Sequence, residues 1–261
     1  MKKILLLDGD ESFGFRFYKD NINLYSIKAI HGSRGILELF KNLLEMDSDF
    51  DYVINNFELP FYSNKHEFDL YNIKVQEAIN SKFPDAFKIL MSSQLVYADS
   101  DMKKDENSIL RPKTDYGKTK LEAEKLVMPD KESLVIRRGI TYGKCTSNIY
   151  TDMLAAIRGH IPLKLNNSIL FNPVLNSDLS AAVRVLIDKS KCGIYNAGSS
   201  DVMTLYDMGS KLCSMLRPDG SCFTPDNNTK MNFNIDSSKI EAGTGIRMSS
   251  LTEIDFLDFI I

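Results

Sequence analysis

Three residue types that can move a proton together occur in the middle of the chain. Ser92 and Ser93 end an apolar run, and Tyr116 and Lys120 follow four residues apart in a helix-like segment. Residues at this spacing lie on one helix face, one turn from each other. A phenol is a poor base at neutral pH because its usual pKa is about 10, and a neighbouring ammonium group favours its ionised form. The spacing therefore predicts a tyrosine that exchanges protons with a hydroxyl or carbonyl group, while a serine hydroxyl holds the same oxygen.

The elements that must position these residues alternate along the chain. Short apolar, β-branched runs lie at 3–7, 24–30, 51–55, 86–93, 133–139, 169–175 and 193–198. Helix-like segments lie at 35–46, 69–81, 115–127, 177–188 and 204–216. This alternation predicts an α/β fold with a doubly wound, Rossmann-like parallel sheet, in which ligands bind at the carboxyl ends of the strands. A chain of 261 residues is long enough for one such domain with a small additional lobe.

Charge and composition argue against several other classes of protein. The net charge is −3, with 32 basic and 35 acidic residues and no run of like charge, so we expect neither a nucleic-acid nor a membrane partner. The apolar run at 4–7 is too short for a signal peptide or a membrane span, and we expect a cytoplasmic protein. The four cysteines form no CxxC pair and the three histidines lie far from them, which favours reduced thiols over a metal site.

Further motifs follow in one order along nearly the whole chain. They are DYVINN (51–56) with Asn72 in the next helix, SSQLVY (92–97), YGKTK (116–120), VIRRGITYG (135–143), NPVLNSDLSAA (172–182), GIYNAGSS (193–200) and FNIDSSKI (233–240). With these motifs the chain resembles an extended short-chain dehydrogenase/reductase, of the branch that includes nucleotide-sugar epimerases, dehydratases and dTDP-4-dehydrorhamnose reductases. The resemblance implies a single unit over 1–261, with a cofactor-binding core over about 1–142 and a substrate lobe over about 143–261, interleaved with the last core strands. It also implies a homodimer formed through the helices at 69–81 and 115–127.

The same resemblance assigns roles to individual residues. Ser93 is expected to be the catalytic hydroxyl, Tyr116 the proton donor or acceptor, and Lys120 the group that binds the nicotinamide ribose and lowers the phenol pKa. Further cofactor contacts are expected at Gly9, Ser12, Phe13, Gly14, His31, Arg34, Asn55 and Asn72. Substrate contacts are expected at Ser92, Gln94, Thr141 and Tyr142, and the implied substrate is a nucleotide-linked sugar.

The loop after the first strand, DGDESFGF (8–15), departs from the family pattern GxxGxxG. Aligning Gly9 with the first glycine places Ser12 at the second position and Phe15 at the third. The third glycine normally lets the helix pack closely on the strand, so a phenylalanine there should push the two apart. A shift of one residue would bring Gly14 to that crossing instead.

Charge in this part of the chain bears on the cofactor. Asp8, Asp10 and Glu11 surround the helix N-terminus, where like charge opposes a pyrophosphate. No acidic residue follows the second strand to bind the ribose of NAD, and Arg34 can accept the 2′-phosphate of NADP, so NADP is favoured over NAD. The stretch from Arg34 to Asp51 is short for the family, which predicts that a third strand is absent or abbreviated.

Three hypotheses about function follow. The first is an NAD(P)-dependent oxidoreductase or epimerase acting on a sugar nucleotide, favoured by the intact set of Ser93, Tyr116 and Lys120. The second is a binding or regulatory protein on the same fold, similar to the regulatory subunit of methionine adenosyltransferase, favoured by the altered glycine loop. The third is an enzyme that keeps the tyrosine chemistry without tight nicotinamide binding. Family dehydratases carry Asp-Glu directly after the catalytic hydroxyl, where this chain has Gln94 and Leu95, which argues against a dehydratase. Gln94 also departs from the aspartate of the dehydrorhamnose reductases, so the choice between epimerase and reductase stays open.

Overall fold

The protein alternates strands and helices along the chain. The computed structural model describes residues 1–8, 12–30, 35–57, 59, 63–129, 132–143, 148–217, 222–228 and 230–251. Within these ranges the strands are β1 (Lys3–Leu7), β2 (Ser26–Ile30), β3 (Tyr52–Asn55), β4 (Phe87–Ser93), β5 (Ser133–Arg138), β6 (Thr141–Tyr142), β7 (Leu163–Asn166), β8 (Ile169–Leu170), β9 (Val174–Leu175), β10 (Gly193–Ala197), β11 (Phe223–Asp226) and β12 (Met231–Asn232). The helices are α1 (Ser12–Asn21), α2 (Ile36–Glu45), α3 (Lys65–Phe68), α4 (Val75–Lys82), α5 (Asp115–Val127), α6 (Ile149–Gly159), α7 (Asn176–Asp188), α8 (Leu205–Leu216) and α9 (Ser238–Thr244). A π-helical turn, Asp69–Lys74, joins α3 to α4, and a 3₁₀ turn, Gln94–Val96, follows β4.

Six strands form one parallel sheet in the order β2-β1-β3-β4-β5-β10. Side chains alternate across β1, so that Ile4 and Leu6 pack with residues of α1 and α7, while Leu5 and Leu7 pack with residues of α2 and α4. Because helices cover both faces, the run from Ile4 to Leu7 is apolar and fully buried. The sheet and its helices confirm the predicted doubly wound α/β fold.

One edge of the sheet explains the short stretch that follows the second strand. In the described part of the chain, α2 leads from β2 to β3, which pairs with β1 on its far side, and no strand lies beyond β2. This order confirms the prediction that a third strand is absent or abbreviated. None of the described helices is long and apolar enough to cross a membrane.

Three parallel strand pairs, β6 with β9, β7 with β11 and β8 with β12, stand apart from the central sheet. An apolar cluster from the later half of the chain, including Tyr150, Leu212 and Phe223, packs among them. The strand predicted over 169–175 is two short strands, because Asn172 and Pro173 interrupt it. The Asn172 side chain ties three segments together by donating to Ser199 O and Asp201 O and accepting from Ile235 N–H.

A buried phenol makes the fold sensitive to high pH. Tyr25 precedes β2 and donates from its hydroxyl to Asp188 Oδ1 at 2.6 Å, at the end of α7. Burial, together with this carboxylate, raises the pKa of Tyr25. In the unfolded chain the phenol ionises near its usual pKa of about 10, so unfolding is favoured as the pH rises above that value.

We therefore expect the contribution of Tyr25 to the free energy of unfolding to fall above about pH 10, by at most about 1.4 kcal/mol per pH unit. Urea denaturation at pH 8, 10 and 11 measures the slope. Tyr25→Phe should flatten it, and identical slopes for both proteins would contradict the assignment.

Candidate active site

Tyr116 and Lys120 lie on one face of α5, as their spacing predicts. Tyr116 is 8% exposed and Lys120 is 2% exposed, and Lys120 Nζ lies 5.8 Å from the centre of the Tyr116 ring. The helix begins at Asp115, and Thr114 Oγ1 caps it by accepting from the Gly117 N–H group at 3.0 Å. The cap fixes the start of the helix next to Tyr116.

The ammonium group of Lys120 is held where two strands end. Nζ donates to Phe57 O at 2.7 Å and to Met91 O at 3.1 Å. Phe57 follows β3, and Met91 lies near the carboxyl end of β4. Carbonyl oxygens accept hydrogen bonds from a buried ammonium group and offset part of its lost hydration. The two contacts fix the charge of Lys120 beside the phenol.

The turn after Ser93 touches the start of α5. Ser93 Oγ accepts from the Leu95 N–H group at 3.2 Å and caps the 3₁₀ turn. A Cβ atom at Gly117 would lie 2.4 Å from Leu95 O, so the helix lies directly against this turn. Because the Ser93 oxygen is the acceptor in the bond to Leu95, that bond does not use its hydroxyl hydrogen. The structure thus places the turn at Ser93, the Tyr116 ring and the Lys120 ammonium group around the start of one helix.

The Tyr116 ring and its backbone are both braced by neighbouring elements. Phe68 makes an edge-to-face contact with the ring, at 5.5 Å between ring centres. Asn72, in the π-helical turn, donates from Nδ2 to Thr119 Oγ1 at 2.8 Å, and Thr119 in turn donates to Tyr116 O at 3.0 Å. Short π-helical segments such as Asp69–Lys74 are frequent at functional sites.

The two asparagines expected at the cofactor are bonded to protein groups. Asn55 Nδ2 donates to Gln76 Oε1 at 2.9 Å, and its Oδ1 accepts from the Phe57 N–H group at 3.3 Å. Asn72 bonds Thr119 as described, and both asparagines are buried. In the structure they brace the segments that hold Tyr116 and Lys120, and a direct cofactor contact at either stays a prediction.

Ser92 does not face the same side of the sheet as Ser93, because successive side chains in a strand point to opposite faces. Its side chain is buried, and Oγ donates to Glu124 Oε1 at 2.5 Å. The substrate contact expected at Ser92 is therefore corrected to a contact inside the protein, between β4 and α5.

The other three expected substrate contacts are also buried among protein groups. Gln94 Oε1 accepts from the Asn172 N–H group at 3.3 Å, which joins the end of β4 to the lobe. Tyr142 is fully buried, and its hydroxyl donates to Ser249 O at 3.0 Å. Thr141 is hydrogen-bonded through Oγ1 to Ser12 Oγ. Tyr142 packs in the apolar cluster that includes Tyr150, so its expected substrate contact is corrected to a core position. The described structure gives no support for a ligand contact at Gln94 or Thr141.

The described residues on either side of the loop after β1, residue 8 and residues from 12 onward, bear on the two glycine alignments. Gly14 is buried in α1, whereas Phe15 is half-buried, with Lys19 Nζ 5.3 Å from its ring centre. Asp8 has a φ of +62°, a left-handed conformation that favours glycine. Gly14, and not Phe15, therefore lies on the covered face of α1, and the expectation that Phe15 separates helix from strand is wrong.

This shift also changes the roles expected for Ser12 and Phe13. Ser12 begins α1 with a φ of +42°, and its buried hydroxyl is bonded to Thr141 and accepts from Asn148 Nδ2 at 3.3 Å. Phe13 is fully buried in the core, 5.5 Å from Phe17 between ring centres, so its side chain cannot meet a cofactor. Only backbone groups of these two residues could do so. Gly9, His31 and Arg34 lie outside the described residues.

Sequence reasoning missed a buried ion pair behind α5. Glu124 lies one helical turn after Lys120, and Arg137 Nη2 donates to Glu124 Oε2 at 2.8 Å. A signal was available, because an arginine inside an apolar strand run needs a buried partner. No group of three or more His, Cys, Asp or Glu side chains that could hold a metal ion occurs among the described residues.

A comparison with protein families covers the segment that carries these residues. The family model described as RmlD substrate binding domain matches residues 79–239, which is more than half of the chain. The chain belongs to the RmlD substrate-binding-domain family. A curated relative of this RmlD-family chain is the spore coat polysaccharide biosynthesis protein SpsK from Bacillus subtilis (strain 168), 31% identical over 108 residues. That match covers 41% of this chain and 38% of the length of SpsK.

Solved structures share the fold of this RmlD-family protein at low sequence identity. A hypothetical dTDP-4-dehydrorhamnose reductase from Sulfolobus tokodaii has a TM-score of 0.80 and 14% identity, with 97% of this chain and 98% of that one covered. MoeE5 in complex with UDP-glucuronic acid and NAD has a TM-score of 0.79 and 17% identity, with 95% and 94% covered. The dTDP-4-dehydrorhamnose reductase of Bacillus anthracis str. Ames, in complex with NADP, has a TM-score of 0.78 and 16% identity, with 97% and 96% covered. Family and fold together confirm the resemblance to extended short-chain dehydrogenase/reductases.

Proposed function

We propose that this protein is an NAD(P)-dependent reductase or epimerase that acts on a nucleotide-linked sugar. The observation that carries the proposal is the Lys120 ammonium group, fixed by two carbonyl oxygens beside the Tyr116 phenol. The names of similar proteins support the same function. SpsK is a polysaccharide biosynthesis protein, and the MoeE5 structure contains UDP-glucuronic acid and NAD.

Each residue of the site has a separate task in this proposal. Tyr116 Oη gives a proton to a sugar carbonyl oxygen, or takes one from a sugar hydroxyl in the reverse direction. The charge on Lys120 favours the ionised form of the phenol at a fixed distance. The Ser93 hydroxyl donates to the same sugar oxygen and holds it in line with the phenol. A nicotinamide ring, when bound, supplies or accepts the hydride.

The residues present fit the nicotinamide end of such a cofactor better than the pyrophosphate end. Lys120 and Tyr116 present an ammonium group and a hydroxyl that can hold a ribose. The buried Gly14 lets α1 pack on β1, and the start of α1 at Ser12 supplies backbone N–H groups for phosphate. Asp8 opposes an anion, because its buried carboxyl group lies at the end of β1. The preference for NADP rests on Arg34 and on the absence of an acidic residue after the second strand, and it stays a proposal.

A homodimer through α4 and α5 is also proposed. The exposed faces of this region carry the ion pairs of Lys74 with Glu77 and of Lys118 with Asp115. An interface there would be polar and salt-dependent. Light scattering should give twice the chain mass of 29.6 kDa, and the chain mass itself would contradict the dimer.

The first test is calorimetric titration with NAD, NADH, NADP and NADPH, after a denaturation and refolding step that removes bound ligand. Binding of one of them, followed by turnover of a UDP- or dTDP-linked keto sugar, is the expected result. Failure of all four to bind would overturn the proposal and favour the binding or regulatory hypothesis.

Asp8→Gly is expected to tighten the binding of that dinucleotide about tenfold. The change removes a buried carboxyl group from the pyrophosphate end, and a tenfold gain equals about 1.4 kcal/mol. Ser190→Gly is the matched control, because Ser190 also has a left-handed φ, +48°, but lies after α7, outside the loop. Both variants should relieve backbone strain, and equal affinities for the two would show that Asp8 does not repel the cofactor.

A further inference from the structure

A row of polar residues crosses the centre of the sheet, where parallel strands are usually apolar. Ser92 of β4 pairs with Arg137 of β5, and Arg137 pairs with Asn196 of β10. All three side chains are buried. Buried polar groups need hydrogen-bond partners. These side chains therefore need a polar partner within the protein, on a helix that covers the sheet.

That partner is Glu124 of α5. Its Oε1 accepts from Ser92 Oγ at 2.5 Å and from Arg137 Nε at 3.1 Å. Its Oε2 accepts from Arg137 Nη2 at 2.8 Å, which completes a two-pronged bond between guanidinium and carboxylate. The arginine side chain is 1% exposed and the glutamate side chain 3% exposed.

Arg137 has further partners that fix its orientation. Nη1 donates to the Tyr97 hydroxyl at 3.0 Å and to Glu106 O at 3.2 Å, and the guanidinium carbon lies 4.9 Å from the Tyr97 ring centre. Tyr97 in turn donates to Asn196 Oδ1 at 2.7 Å. Although burial, the largest single effect, lowers the pKa of Arg137, the hydrogen bonds and charges of Glu124 and Tyr97 together outweigh it and the pKa is raised. The guanidinium group therefore stays charged, with its geometry defined from both sides.

We infer that Glu124 and Arg137 are positioning residues for Tyr116 and Lys120. Glu124 lies four residues after Lys120 and eight after Tyr116, on the same helix face, about 12 Å along the axis from Tyr116. Apolar contacts allow a helix to slide on a sheet, whereas a two-pronged ionic bond defines one register. We call the bonds of Glu124 to Ser92 and Arg137 the tether. Ser92 precedes Ser93 in β4, so the tether joins α5 to the strand that carries the expected catalytic hydroxyl.

The expected change in kcat rests on the proposed function, whereas the expected change in the surroundings of Tyr116 does not. The structural readout is the titration of the Tyr116 ring, followed by NMR of protein labelled with carbon-13 at tyrosine Cζ. Tyr116→Phe identifies the signal. The kinetic readout is kcat and KM with the sugar nucleotide that the protein turns over.

Three variants separate position from stability. Ser92→Ala removes one bond to Glu124 and leaves the ion pair. The double variant Glu124→Leu with Arg137→Met replaces the pair by apolar groups, which proteins often tolerate without loss of stability. Lys41→Met is the control outside α5 and the proposed dimer interface, where it removes only an exposed ion pair, with Glu45 of α2.

We expect the double variant to fold, to change the Tyr116 titration relative to the original protein, and to lower kcat at least tenfold while KM changes less than threefold. Ser92→Ala should shift both readouts in the same direction by less, and Lys41→Met should shift neither. A folded double variant with the Tyr116 titration of the original protein would overturn the inference. If the protein turns over no sugar nucleotide, the proposed function is wrong, but the inference is still tested. The titration then decides whether the tether positions Tyr116.

Discussion

Tyr116→Phe should lower kcat by two to four orders of magnitude while the protein still folds and binds its cofactor. The variant keeps the ring that packs against Phe68 and loses only the hydroxyl group that the proposed mechanism uses to move a proton. Positioned proton transfer contributes about 10²- to 10⁴-fold to a rate, which sets the size of the loss. Steady-state kinetics with a nucleotide-linked keto sugar measures kcat. Calorimetric titration measures cofactor binding.

A second tyrosine with a lysine over its ring supplies the control. Tyr195 in β10 is buried, and Lys239 Nζ lies 4.6 Å from its ring centre. Tyr195→Phe should leave kcat unchanged, because this pair packs at the outer strand of the sheet and not at α5. If Tyr116→Phe is as active as Tyr195→Phe, Tyr116 does not transfer the proton.

The parts of the site that the sequence could predict are those governed by local geometry. Tyr116 and Lys120 share a helix face because any two residues four apart in a helix do so. The sheet followed from the alternation of apolar runs with amphipathic segments, since strands covered on both faces need continuous apolar runs. These features depend on neighbours in the chain and not on distant contacts.

The remaining features depend on partners far away in the chain. Alternation shows that Ser92 and Ser93 face opposite sides of β4, but only the position of α5 decides which side holds Glu124. Tyr142 is buried by packing against Tyr150 and the apolar cluster of the later half of the chain, which no local pattern of the VIRRGITYG stretch records. In the loop after β1, two alignments of the glycines compete, and the burial of Gly14 next to a half-buried Phe15 favours the shifted one.

Distant contacts also explain why Gly117→Ala is expected to lower kcat about a hundredfold. Alanine favours an isolated helix over glycine by about 1 kcal/mol, so helix propensity predicts a gain in stability. In the protein, the new Cβ would lie 2.4 Å from Leu95 O and 3.0 Å from Pro112 Cβ, which the backbone turn after Ser93 cannot accommodate without moving. A displacement of about 1 Å at a reacting group can cost about 10²-fold in rate.

Gly243→Ala in α9 makes the same change where there is room, because its nearest neighbour would be Tyr195 Cε1 at 3.8 Å. It should keep the original kcat and raise Tm slightly. Measuring kcat and Tm for both variants separates helix propensity from the position of α5. If Gly117→Ala keeps its kcat, the turn yields without moving Tyr116, and the register of the helix must then be set further along, at Glu124.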